Sequence, residues 1–321
     1  MNSNSSSISA AEAMEGWNEG AVVKKRRLGR GLAELAASPG AAEAASLGRM
    51  RSAAANGRRP WIVCVSSGKG GTGKSIVTSN LSVHIASTGL RLLSVDADMG
   101  LANLHLLFGL RPGRTIFDVI ERGASLAEIV ETGHGGVQLA AGGSGVTEMA
   151  DLHPERLLRL IVALEAAGAL ADVILVDTGA GIGRATTSFL YSVRDVLVVT
   201  TPDLTAMTDA YAVIKNVARN NRQARIFLVA NRTSSAVEGM QIFARMDQIS
   251  RKFLGRSLHY LGHILDDPRV SASVAACKPI LLHQPASPAA ACLRGIGRSL
   301  MLEMRGQNES PGTRSAAEWA T

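Results

Sequence analysis

The string GKGGTGKS, Gly68 to Ser75, constrains this chain more than any other feature. It follows the apolar run Trp61 to Val65 and precedes a helical pattern, Ile76 to Ala86. A strand, a glycine loop and a helix in that order build a phosphate cradle. The glycines Gly68, Gly70, Gly71 and Gly73 let backbone N–H groups around Thr72 turn inward onto phosphate oxygens. Lys74 is placed to reach β- and γ-phosphates, and the Ser75 hydroxyl to ligate Mg²⁺. The helix N-terminus adds its dipole. A glycine-rich surface turn beside a lysine is the plain alternative; the match in its flanking order outweighs it.

From Trp61 onward, short apolar runs alternate with helical patterns. The runs are Ile62–Val65, Leu92–Val95, Val137–Ala140, Val173–Val176, Val196–Thr200, Ile226–Ala230 and Leu258–Ile264. Helical patterns cover Ser75–Ala86, Pro154–Ala167, Ala185–Val193, Thr205–Arg219, Ala236–Phe253 and Ala289–Met304. Such alternation predicts an α/β fold: a mostly parallel, doubly wound sheet with helices on both faces. Ligands bind such sheets at the carboxyl ends of the strands. Asp96 and Asp98 end the second run and Asp177 ends the fourth, all at the edge that carries the glycine loop. Carboxylates there face a γ-phosphate and its metal, and Asp177 is placed to hold Mg²⁺ through water. Asn231 follows the run RIFLVA, where an amide can both donate to and accept from an adenine edge.

Lys69 is a second lysine in the loop, one that a phosphate cradle does not need. KGGTGKS resembles the deviant Walker A motif of the MinD/ParA ATPases. The resemblance implies that Lys69 reaches across a homodimer interface to the partner's ATP, beside the catalytic Lys74. LLSVDADMGLANLHLLFGL resembles the switch I segment of MinD-like ATPases. On that match Asp98 orients the attacking water and Asp96 sits beside the Mg²⁺ water shell. DTGAGI, from Asp177, resembles switch II. The family reads adenine with an asparagine at the place of Asn231 and with a segment matching Ile264 to Asp267, so Asp266 joins the nucleotide-binding set. A proline is usual where Leu265 stands.

Two further blocks narrow the likeness. TPDLTAMTDAYAVIK, Thr201 to Lys215, and the stretch Leu261 to Ala291 resemble the MinD-like regulators of flagellar number and placement (FlhG/FleN type). The likeness covers roughly residues 61–305 and implies a slow, partner-stimulated ATPase that works with a flagellar GTPase or regulator. The DQA motif with which such regulators engage their GTPase is absent from residues 1–60. KKRRLGRGLAELAASPG, Lys24 to Gly40, instead resembles the box with which ParB proteins engage ParA. A ParA-like partition ATPase that binds DNA non-specifically is the alternative. Its phosphate-binding face would be Arg219, Arg222, Arg225, Arg245, Arg251, Lys252 and Arg256. A carboxylate ligase on the same fold is a distant third reading, because no substrate constellation accompanies the loop.

Composition sets the outer limits. Residues 1–60 are rich in Ser, Ala and Gly and carry nine Lys or Arg against five Glu, so +4 of the net +7 lies in this segment. That composition predicts a disordered basic arm before an ATPase domain over 61–305, with a loose polar tail over 306–321. Three scattered cysteines, Cys64, Cys277 and Cys292, without a CxxC, predict neither disulfides nor an iron–sulfur cluster. With no apolar leader and no long apolar run, a cytoplasmic location is expected. Peripheral contact with the inner membrane face stays open.

Overall fold

The structure is a computed structural model that describes residues 59–143 and 154–308. Residues 1–58 of the basic arm and the last thirteen residues of the tail lie outside that range. An eight-stranded sheet forms the centre, in the order β3-β4-β2-β5-β1-β6-β7-β8. Its strands are β1 (Trp61–Ser67), β2 (Leu92–Ala97), β3 (Val130–Thr132), β4 (Gln138–Ala140), β5 (Val173–Thr178), β6 (Asp195–Thr200), β7 (Arg225–Thr233) and β8 (His259–Leu265). All neighbours run parallel except β3, which pairs antiparallel with β4. The sheet is therefore mostly parallel, as expected.

The apolar runs are continuous because both faces of the sheet are covered. Cys64, Ile174, Val176, Val196, Val198, Ile226 and Leu228 point to one core. Val63, Val65, Val173, Leu175, Leu197, Val199, Phe227 and Val229 point to the other. This is the two-residue period of a strand, read on both sides. The second face is covered by α1 (Lys74–Ala86), α2 (Leu104–Leu107) and the last helix, α11 (Pro288–Asn308). The first is covered by α3 (Ile116–Arg122), α5 (Pro154–Glu165), α6 (Arg184–Ser192), α7 (Leu204–Asn220) and α8 (Ala236–Leu254). Short helices α4 (Leu126–Ile129), α9 (Pro268–Ala275) and α10 (Ile280–His283) fill the connections.

Local signals set the helix ends. Asp203 caps α7 by accepting from the backbone N–H groups of Thr205 and Ala206. Ser235 caps the start of α8, and Gly255, at φ 64°, ends it in the left-handed region. Several features depart from the sequence reading. The hairpin partner β3 and helix α3 were not anticipated, because a three-residue strand and a seven-residue helix carry little periodicity. Helix α11 runs four residues past Met304, into the first residues of the segment read as tail. β8 carries a bulge: Leu228 pairs with Tyr260 and Val229 with Gly262, so Leu261 has no partner in the ladder. Gly262 takes φ 144° there.

Candidate functional site

β1 lies between β5 and β6, where the strand order reverses, and its carboxyl end opens the crevice such sheets use for ligands. The loop from Gly68 to Gly73 occupies that point. Gly71 and Gly73 take φ of 79° and 90°, conformations that favour glycine. At Gly68 the reason is space: a Cβ would lie 2.1 Å from the Asp209 carbonyl carbon and 2.3 Å from the Ala210 nitrogen. The TDAY block thus presses its backbone directly against the glycine loop.

The two loop lysines do different things. Lys74 is buried, and its Nζ donates to Asp177 at 2.9 Å. Asp177 also accepts from Ser75 Oγ at 2.6 Å and from Thr78 Oγ1 at 3.0 Å. Lys69 instead stays at the rim, with its side chain 36% exposed. Its ammonium donates to Asp203 at 3.0 Å and to Thr205 Oγ1 at 2.5 Å. Lys69, the Thr205 hydroxyl and the backbone N–H groups of Thr205 and Ala206 hold the Asp203 carboxyl well below the usual carboxylate range.

Asp96 and Asp177 stand opposite one another on the paired strands β2 and β5. Neighbouring strands lie about 4.8 Å apart, so the two carboxyls are close neighbours in a dry interior. Burial, then the charge of Asp177, pushes Asp96 up to about 7, against the pull of backbone N–H donors and Lys74. Asp96 accepts from the backbone N–H groups of Leu104 at 2.9 Å and Asp98 at 3.2 Å. Asp98 turns outward, and its Oδ1 accepts from the N–H groups of Gly100 and Leu101. A Cβ at Gly179 would come within 3.6 Å of that oxygen, so the loops after β2 and β5 meet at Asp98.

Asn231, at the end of β7, is buried and donates from Nδ2 to the Thr72 carbonyl at 2.7 Å. Its oxygen accepts from the N–H of Arg232, which takes φ 57°. The amide thus braces the glycine loop. Asp266 is exposed and lies 3.6 Å from the Arg232 guanidinium. The carboxyl-edge loops bring Lys69, Lys74, Ser75, Asp96, Asp98 and Asp177 into one site, with Asn231 and Asp266 along its β7–β8 flank. Hard oxygen donors meet where Ser75, Asp177 and Asp96 converge, a donor set that fits Mg²⁺.

Sequence reasoning missed Asp203 and Thr205 as partners of Lys69, and Thr78 as a ligand of Asp177. The capping signal at Asp203 was available; the distance in sequence to Lys69 hid the ion pair. The basic face is smaller than expected. Arg225 is taken up by Asp195 at 2.7 Å and Glu303 at 2.9 Å, and Arg251 by Asp247 at 2.6 Å. Arg219 and Arg222 lie together near Phe253 and Leu254, while the Arg256 guanidinium is taken up by the backbone carbonyls of Arg222 and Ala224.

The sequence matches the CobQ/CobB/MinD/ParA nucleotide-binding domain over residues 63–280. The chain belongs to that family. It is 36% identical to the antiactivator FleN of Pseudomonas aeruginosa over 239 residues, covering 74% of this chain and 85% of FleN. It is 37% identical over 204 residues to the flagellum site-determining protein YlxH of Helicobacter pylori, covering 63% of this chain and 69% of YlxH. The fold matches the septum site-determining protein MinD of Pyrococcus horikoshii, solved with Mg-ADP. There the TM-score is 0.66 at 24% identity, with 78% of this chain and 99% of MinD covered. The expected family and fold thus hold. No described helix is long and apolar enough to cross a membrane, and Cys64, Cys277 and Cys292 are free thiols.

Proposed function

We propose that this chain is an ATP-dependent dimerising switch that sets flagellar number or placement. The observation that carries the reading is the division of labour between the two loop lysines, in a chain 36% identical to FleN. Lys74 lies inside its own site, while Lys69 stands at the rim, where a second copy can be reached. Exposed Leu101 and Ile182, on the loops after β2 and β5, and Leu204, at the start of α7, offer apolar side chains for self-association.

ATP binds along the glycine loop, with Gly68 to Ser75 around the phosphates and Asn231 and Asp266 on the adenine side. When bound, Mg²⁺ would supply charge neutralisation at the phosphates; Ser75 and Asp177 would hold it, with Asp96 beside them. Lys74 leaves Asp177 for phosphate oxygens. Lys69 leaves Asp203 for the partner's phosphates. Asp98 orients the attacking water. Catalysis is positioning and electrostatics, with no covalent intermediate. Turnover is slow until a protein partner stimulates it, and it reopens the dimer. The switch works in the cytoplasm.

The test is genetic and biochemical. Deleting the gene should change the number of flagella per cell and leave nucleoid segregation normal; the Lys69→Ala chain should fail to restore the count. Normal flagella with missegregated nucleoids would reverse the assignment. The nearness of Arg219 and Arg222 favours one second reading, a DNA-binding partition ATPase. That reading requires ATP-dependent binding to random DNA that weakens steeply with salt.

A further inference from the structure

Asn231 stands where an adenine contact is expected, yet both ends of its amide have partners inside the fold. The residue is 7% exposed, near the carboxyl end of β7. Nδ2 donates to the Thr72 carbonyl at 2.7 Å, and Oδ1 accepts from the Arg232 N–H at 2.9 Å. These partners fix which way the amide faces, because only its nitrogen can donate to a carbonyl and only its oxygen can accept from an N–H. The amide nitrogen also lies against Gly73, where an added Cβ would come within 2.2 Å of it. At Gly73, therefore, both the φ of 90° and the lack of space demand glycine.

The Thr72 carbonyl and the Gly73 N–H belong to one peptide group. No peptide bond among the described residues is cis, so this C=O and this N–H point in opposite directions. Holding the Thr72 carbonyl toward β7 thus turns the Gly73 N–H away from β7 and into the mouth of the glycine loop. That N–H has no hydrogen-bond partner among the described residues. It stands directly before α1, whose first N–H groups likewise lack helical partners. A phosphate oxygen is the acceptor that such a set of donors fits.

We propose that Asn231 is a positioning residue: through the Thr72 carbonyl it aims the Gly73 N–H at the phosphates of the nucleotide, and what it adds to affinity does not depend on the base. The inference rests on the nucleotide site of the proposed switch and assigns this buried amide a task within it. Asn231 lies on the side where the base sits, but it acts on the triphosphate.

Calorimetric titration of the full chain with Mg-ATP and with Mg-inosine triphosphate separates the two roles. Inosine carries a carbonyl where adenine carries its exocyclic amine, so a side chain that reads the adenine edge tells them apart. Asn231→Ala should weaken both nucleotides by the same factor, about tenfold to a hundredfold, as for one lost charge-assisted hydrogen bond. Asn231→Asp keeps the acceptor for Arg232 but turns a carboxylate oxygen on the Thr72 carbonyl; it should weaken both by at least as much. The Gly73 amide proton gives a second reading. On saturation with Mg-ADP it should move downfield in the wild-type chain and lose most of that shift in either variant; a loss of global stability alone would not single out this proton. A loss for ATP more than twofold greater than the loss for inosine triphosphate would overturn the proposal and return the amide to the base. Unchanged affinity for both nucleotides, or a full Gly73 shift in the variants, would overturn it as well. Wild-type ATP binding is measured in the same series, so failure of the site and failure of this role for Asn231 are distinct results.

Discussion

Replacing Asp177 by asparagine should destabilise the nucleotide-free protein by about 3 kcal/mol. Asp177 is 1% exposed and accepts three hydrogen bonds, from Lys74, Ser75 and Thr78. Asparagine keeps the shape and retains one acceptor oxygen, which still serves a hydroxyl. The Lys74 ammonium then stays buried without its counter-charge, and breaking a buried pair from one side costs roughly 3–5 kcal/mol. Relief of Asp96 from its neighbour's charge returns part of that, since Asp177 is the second cause of the raised Asp96 value. Urea unfolding at pH 7 without nucleotide measures the difference, and the melting temperature should fall by about 5–10 °C. A thermodynamic cycle with Lys74→Met sharpens the test. The double variant should cost about 2 kcal/mol less than the sum of the single ones, because it removes both charges together. A loss under about 1 kcal/mol for Asp177→Asn, or strict additivity in the cycle, would refute the claim that this pair anchors the empty loop.

Other outcomes follow from the same geometry. Asp203→Asn frees Lys69 from its ion pair, so ATP-dependent dimers should form at several-fold lower protein concentration in sedimentation; weaker dimerisation would show that Asp203 acts within the dimer itself. Gly68→Ala drives a methyl into the backbone at Asp209 and Ala210 and should cost about 1–3 kcal/mol of stability, together with most ATP affinity; unaltered nucleotide titration would argue against that close approach. Asp98→Ala should bind ATP and dimerise yet turn over at least a hundredfold more slowly, read by phosphate release under single-turnover conditions. Between about pH 4 and 7 the native chain keeps a proton on Asp96 that the unfolded chain has lost. That term therefore lowers stability as pH rises, with a slope approaching 1.4 kcal/mol per pH unit. Asp96→Asn should remove this slope from the difference curve, and an identical slope in the variant would assign it elsewhere.

The glycine loop and the three strand-end aspartates were legible because each is a local pattern: an apolar run, then a residue that chemistry requires at its end. The parallel sheet followed from the same alternation. Partners distant in sequence were not legible. Lys69 and Asp203 are 134 residues apart, and nothing local at either position announces the other. Asn231 was read as an adenine contact from its place after a strand, but its hold on Thr72 required the fold to bring β7 beside the loop. The basic face was overread for the opposite reason. Arg225 and Arg251 look available in a string of residues, yet both are occupied by carboxylates that only the folded chain supplies.

The margins of the sheet have a consequence for how copies can meet. On one side β3 is a three-residue antiparallel strip, too short to template another strand. On the other, the extra Leu261 and the unusual backbone at Gly262 break the comb of amide groups that an incoming chain would need. Lateral growth into ribbons or fibres is thereby discouraged at both flanks, and the molecule can commit its sticky surface to the rim where nucleotide chemistry is read.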